Sequence, residues 1–274
     1  MNILQSIILG IVQGVTEFLP ISSSAHLVLV PHLLGWKIPA QAGFIFDVLV
    51  QDATLLAVFI YYWKDIRDIL KAVISGLRQG KPFGSAEARL GWLIVLATLP
   101  AGVIGFLLKN TVEEAFQSPN ATALFLLVTA GLLLVAERIG KQRSKIEILT
   151  WKDALIIGFF QAVAIFPGIS RSGATITGGM ARDLERPAAA RFSFLMSIPI
   201  MLAAGLLAGM DLLKLPDIGS LLPTFIPGFI ASAITGYLAI RWLLKFLINH
   251  PLTIFSVYCA ALGLLVLILS FIKV

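Results

Sequence analysis

Charge is what this 274-residue chain has least of: Asp, Glu, Lys and Arg together make up 13% of it, where a soluble domain carries roughly 25%. With 58% hydrophobic residues and a mean hydropathy of +0.93, too little polar surface exists to wrap a globule in water. Cysteine is nearly absent. The single Cys259 lies within an apolar run, which excludes a disulfide framework and a cysteine zinc site and reads as a small buried hydrophobe. No Walker loop, HExxH, nucleophile elbow or glycine-rich dinucleotide fingerprint occurs. No Lys or Arg precedes the first apolar stretch, and Gln5, Gln13, Thr16 and Glu17 interrupt it. It therefore does not read as a cleaved signal peptide and is expected to stay in the mature protein.

What remains is apolar sequence in runs of about 17 to 22 residues, long enough to cross a hydrocarbon core as helices. Six runs qualify: 44–63, 91–108, 121–137, 191–210, 224–240 and 251–272. Two further apolar regions, 2–35 and 154–190, are broken by clusters at Pro20 to Ser24 and Pro167 to Gly173. Such clusters interrupt the helical hydrogen-bond ladder, and lipid cannot satisfy the freed backbone groups. Both regions read as re-entrant hairpins whose turns are buried in protein or line a wet cavity.

The cations fix an orientation. Segments 64–90, 138–153, 182–191 and 241–250 hold sixteen of the 21 Lys and Arg; Lys37, Lys109, Lys214 and Lys273 fall on the opposite face. The positive-inside rule makes the first face cytoplasmic and places both termini outside. The net charge of +6 thus reflects topology, and no nucleic acid partner is expected. Arg171 alone belongs to neither face. It falls in the middle of the second hairpin.

Sliding the chain against itself by 148 residues lays Gly10, Gln13, Phe18, Ile21, Ser22 and Ser24 over Gly158, Gln161, Phe166, Ile169, Ser170 and Ser172, and carries Phe44 and Phe46 onto Phe192 and Phe194. An offset near 131 later pairs Gly105 with Gly236 and Phe125 with Phe255. Each copy holds one hairpin and three spans, and an odd number of spans inserts the second copy upside down. The expected fold is all-α: a single polytopic membrane domain over 1–274, built of two inverted-topology repeats, 1–137 and 154–272. Gly102, Gly105, Gly131, Gly205, Gly209 and Gly236 are expected at close helix contacts. Inverted repeats with broken helices bring their polar turns together near the midplane.

That meeting point would collect Gln13, Glu17, Ser22, Ser23, Ser24, His26, Ser170, Arg171, Ser172 and Thr175. Ionisable groups inside a membrane are expensive and mark functional sites. Arg171 supplies a planar fork for phosphate oxygens, and serine-rich turns at helix N-termini present N–H groups to an anion. Glu17 is an oxygen ligand suited to Mg²⁺ or Ca²⁺. His26 suits acid, base or nucleophile, and a serine suits nucleophile. The plainer readings are that the serines only cap helices and that Glu17 only pairs with Arg171. His32 and His250 read as interfacial. Asp47 reads as interfacial too, whereas Gln51 and Asp52 are deep enough to line a cavity.

At these residues the sequence resembles the bacterial undecaprenyl-diphosphatase family, known for conferring bacitracin resistance. Gln13-Gly-Val-Thr-Glu17-Phe-Leu-Pro20-Ile-Ser-Ser-Ser-Ala-His26 is similar to the family's first signature, and Pro167-Gly-Ile-Ser-Arg171-Ser-Gly173-Ala-Thr175 to its second. Phe46 to Gln51 and Phe192 to Pro199 resemble further blocks, so the likeness covers essentially the whole chain. Gln13 stands where many members carry Glu, Ala25 where Gly is common, and Asp52-Ala53 where an apolar residue and Gly are expected. The resemblance implies a metal-dependent phosphatase of the bacterial inner membrane, its site open to the outer face. It would remove the terminal phosphate of the lipid undecaprenyl diphosphate and so recycle the peptidoglycan carrier. Carried over, Glu17 binds the metal or assists proton transfer, Arg171 grips the pyrophosphate, and Ser23 or His26 is the nucleophile. Gln13, Ser22, Ser24, Ser170, Ser172 and Thr175 would bind substrate. A carrier or flippase for the polyprenyl phosphate would use the same architecture without needing the nucleophile, and a scaffold would need none of these groups. Monomer and homodimer both remain open.

Overall fold

The computed structural model describes residues 1–116, 118–212 and 218–272. Among the described residues twelve α-helices follow one another: α1 (Ile3–Phe18), α2 (Ser23–Leu33), α3 (Ala40–Tyr61), α4 (Trp63–Arg78), α5 (Ala86–Leu107), α6 (Lys109–Phe116), α7 (Pro119–Ile139), α8 (Trp151–Val163), α9 (Arg171–Ala181), α10 (Arg186–Leu212), α11 (Ile218–Asn249) and α12 (Thr253–Ile272). Six are long and apolar enough to span: Ala42–Tyr61, Ala86–Leu107, Pro119–Ile139, Arg186–Leu207, Leu221–Asn249 and Thr253–Ile272. These are the six runs expected from hydropathy. No strand occurs among the described residues, only an isolated bridge between Ser144 and Leu184.

The broken regions are helix pairs, α1–α2 and α8–α9, whose starts repeat at the same 148-residue spacing: α1 shifted by 148 begins where α8 begins, and α2 shifted by 148 coincides with α9 at both ends, while α8 stops three residues short of the end of α1. Their entry caps correspond too. Asn2 with Gln5, and Thr150 with Asp153, each form a reciprocal capping box that satisfies two otherwise orphaned N–H groups.

α1 packs on α11, and α8 on α5; α7 lies against α12, and α3 against α10. The α1–α11 approach is closed by glycine. A Cβ on Gly10 would collide with the Gly228 carbonyl, and one on Gly14 with Thr235 and Ser232. On the other side, Gly158 lies against the Ala97 carbonyl. Of the six glycines expected at such contacts, only Gly205 and Gly236 meet a neighbour tightly; Gly102, Gly131 and Gly209 face open space, and Gly105 touches Ile165 loosely. Hydropathy finds a span but not which of its faces is turned inward.

Segment 64–90, expected as a cytoplasmic loop, instead contains α4. Ile66 and Ile69 are buried, while Leu70, Ile74 and Leu77 on the same helix are exposed beside Lys64, Arg67 and Lys71. α4 is thus amphipathic, with the composition of helices that lie along a membrane interface. Nearby, Arg186 forms a two-pronged pair with Glu137, which also accepts the Leu252 N–H at 2.7 Å. Arg182 pairs with Asp153 and Arg191 with Asp65. Of the opposite cations, Lys214 and Lys273 lie outside the described residues.

Candidate active site

α1 aligns Gln13 and Glu17 on one face because they stand four residues apart. Its end is followed by Leu19 and Pro20, whose missing N–H and fixed φ end the helix. Ser22 then takes a φ of +69°, which for a residue other than glycine costs about 1–3 kcal/mol. Its hydroxyl caps α2 by accepting the Ala25 N–H at 3.3 Å. This turn leaves Ser23 as the first residue of α2. The second turn is built alike: Ser170 caps α9 by accepting the Gly173 N–H at 3.1 Å, leaving Arg171 as the first residue. Gly168 permits it with a φ of +102°, pressed against the Thr122 carbonyl where no Cβ fits.

The two turns meet. Ser172 donates to the Leu19 carbonyl at 3.1 Å, and the Gly168 N–H reaches Ser24 Oγ at 3.4 Å. Glu17, 8% exposed, is the hub. Its Oε2 accepts the Ser23 hydroxyl at 2.6 Å and Gln13 Nε2 at 2.9 Å, while its Oε1 accepts Arg171 Nη2 at 2.7 Å. Arg171 Nη1 and Gln13 Oε1 are buried and have no partner. A buried donor left unpaired costs roughly 1–3 kcal/mol, a cost that an arriving anion would offset. The positive ends of two 11-residue helices, α2 and α9, start at this place and favour negative charge.

A cavity of about 210 Å³ opens here, lined by Gln13, Glu17, Ser22, Ser23, Ser24, Ser170 and Arg171, with Asp47 and Gln51 from α3 and Phe116 from α6. Ser172 and Thr175 stand outside its lining: Thr175 donates to the Arg171 carbonyl at 2.8 Å and meets Ser193 Oγ at 2.6 Å. Asp52, expected in the cavity, packs instead against Gly205, and Asp47, expected at the interface, takes its place.

His26 is also outside the lining. Its Nδ1 lies 2.7 Å from the Ser22 carbonyl and its Nε2 2.7 Å from the Tyr258 hydroxyl. A carbonyl only accepts, so Nδ1 carries the hydrogen and Nε2 accepts from Tyr258. Both ring nitrogens are engaged: Nδ1 holds the backbone of the strained serine, and Tyr258 holds the ring from the other side. Phe116 and Tyr258 were missed by sequence reasoning. Each is a lone aromatic with no local pattern to mark it.

Among the described residues no three His, Cys, Asp or Glu side chains group as a metal cage. The lining nonetheless offers the carboxylates of Glu17 and Asp47 and the unpartnered Gln13 Oε1. Few protein oxygens, completed by substrate phosphates and water, is how Mg²⁺ is usually held.

Comparison with known proteins converges on the same chemistry. The family described as bacitracin resistance protein BacA matches residues 6–265. An undecaprenyl-diphosphatase of Chlorobaculum tepidum is 46% identical over 273 residues, covering 96% of this chain and 95% of its own length. The undecaprenyl-diphosphatase of Chlorobium limicola is 44% identical over 274 residues, with the same coverage of both chains. That of Desulforudis audaxviator is 42% identical over 273 residues and covers both chains completely.

Proposed function

This chain belongs to the bacitracin resistance protein BacA family, and on that premise we propose that it hydrolyses undecaprenyl diphosphate to undecaprenyl phosphate and inorganic phosphate. The observation that carries the residue assignment is Ser23 Oγ on Glu17 Oε2 at 2.6 Å, with Arg171 on the other oxygen of the same carboxylate at 2.7 Å. Ser23 attacks the terminal phosphorus as its proton passes to Glu17. The bond to the bridging oxygen breaks, and undecaprenyl phosphate leaves. Glu17 passes that proton to the departing undecaprenyl phosphate and is a carboxylate again. Water then attacks the phosphoserine as Glu17 takes the proton of the water; the bond between phosphorus and Ser23 Oγ breaks, Glu17 returns the proton to Ser23 Oγ, and inorganic phosphate is released. Arg171 Nη1 and the N-termini of α2 and α9 hold the charge that builds on the phosphoryl oxygens. Gln13 keeps Glu17 in place, and His26 braces the turn that presents Ser23.

Glu17, Asp47 and Gln13 Oε1 would hold a Mg²⁺ or Ca²⁺ ion arriving with the pyrophosphate. Such an ion neutralises charge on the phosphate oxygens. The sidedness of the cations supports a bacterial inner-membrane orientation with both termini outside. The cavity wall includes Phe116 of α6 and Asp47 of α3, on the cation-poor side, which supports an opening to the outer face. The matched helix starts of the two hairpins and the exchanged packing of α1 on α11 and α8 on α5 support inverted repeats.

The experiment is phosphate release from a C55 or C15 prenyl diphosphate by purified protein in detergent with Mg²⁺ or Ca²⁺. Loss of release in Ser23→Ala with retention in His26→Ala is expected. The reverse pattern would move the nucleophile to His26. Transport of polyprenyl phosphate across vesicles without phosphate release would replace the hydrolase by a carrier.

A further inference from the structure

Arg171 is the first residue of α9, so its guanidinium goes wherever the second turn goes. One side chain outside both signature segments holds that turn. Thr129 of α7, wholly buried, donates its hydroxyl to the Gly168 carbonyl at 2.8 Å and accepts the Ser170 N–H at 2.9 Å. One oxygen therefore ties down both sides of the turn immediately before Arg171. The rest of that α7 face completes the seat. Gly168 rests on Thr122 and on Phe125 Cβ, and the rings of Phe125 and Phe166 lie 5.2 Å apart. These contacts are apolar or purely steric and let the turn slide; the two hydrogen bonds are directional and do not.

We propose that Thr129 is a positioning residue that sets Arg171 against the phosphate of the substrate. The proposal rests on the reading of Arg171 as the phosphate grip. Valine has the shape of threonine without the hydroxyl, so Thr129→Val strands the Gly168 carbonyl and the Ser170 N–H without partners and allows the turn to shift. A displacement of about 1 Å at a catalytic group costs up to roughly 100-fold in rate.

The test is steady-state phosphate release from a C15 prenyl diphosphate with Mg²⁺. Thr129→Val should lower kcat by about 10- to 100-fold, with a smaller change in KM, and Thr129→Ser should restore it. If Thr129→Val does not survive purification, Thr129→Ala carries the same expectation. Thr98→Val, whose hydroxyl bonds only to the Ile94 carbonyl of its own helix, should behave as wild type. A residue acting through Arg171 also loses its effect once Arg171 is impaired, so Thr129→Val should cost less than about twofold in an Arg171→Lys background. Full kcat in Thr129→Val, or a loss that simply multiplies with that of Arg171→Lys, overturns the proposal. Unimpaired turnover in Arg171→Ala instead removes the reading beneath it, whereas turnover lost there but kept in Thr129→Val removes the proposal alone.

Discussion

The two hairpins share a frame and divide the chemistry. Both open with a capping box, both break after one helix, and both resume with a serine cap whose hydroxyl lies 3.1 Å from a second serine two residues on. The differences sit at matched positions. Where the first turn has Ser23 the second has Arg171, and Glu17 faces Ile165. Ser22 has a φ of +69° where Ser170 has −64°. Gln13 is spent on Glu17, while its counterpart Gln161 is buried with neither amide atom partnered. On the proposed mechanism, one turn carries nucleophile and base, its counterpart an anion grip. A common scaffold places two unlike groups face to face because each begins a helix aimed at the same point.

This division is open to attack, beginning with the most damaging change. Ser23→Ala should abolish phosphate release, by at least about 10³-fold, with the protein still folded in detergent. Glu17→Gln should cost about 10²- to 10³-fold, because the proton acceptor is lost while the amide remains bonded. Comparable turnover in that variant would reduce Glu17 to an ion-pair partner of Arg171. The matched glutamines give the sharpest contrast. Gln13→Leu removes a donor to a carboxylate and should lower kcat by about tenfold or more, whereas Gln161→Leu removes two unsatisfied groups and should leave kcat within about twofold while raising the melting temperature. Equal effects at the two positions would erase the asymmetry. Among the changes expected to lower kcat, the smallest is Tyr258→Phe, which removes one hydrogen bond to His26 and should cost about two- to tenfold.

Much of this molecule was legible before any coordinates. Spans declare themselves by length and apolarity, and both breaks by Pro and Ser clustered where a membrane helix should continue. Glu17 and Arg171 stood out because charge is so rare. What stayed hidden had a common cause. α4 was invisible to a search for apolar runs because its hydrophobic residues alternate with lysine and arginine around the helix. Thr129, Phe116 and Tyr258 are single residues on other elements, recruited only when distant chain segments come together, 232 positions apart for Tyr258 and His26 and 39 for Thr129 and Gly168. The tight glycines were misassigned because spacing along a span does not reveal its inward face. Nor does any residue type announce that Ser22 would be held at positive φ.

The reciprocal hydrogen bonds between the turns bear on how the protein is made. When only α1 to α7 have left the ribosome, Glu17 faces no guanidinium and the Leu19 carbonyl no hydroxyl, since Arg171 and Ser172 supply both. The nascent chain therefore carries an exposed polar notch within the bilayer until α8 and α9 arrive to close it. The carboxylate keeps Ser23 and Gln13 as donors throughout, but its charge is left without a counter-ion until Arg171 is in place, so the site is complete only late in insertion.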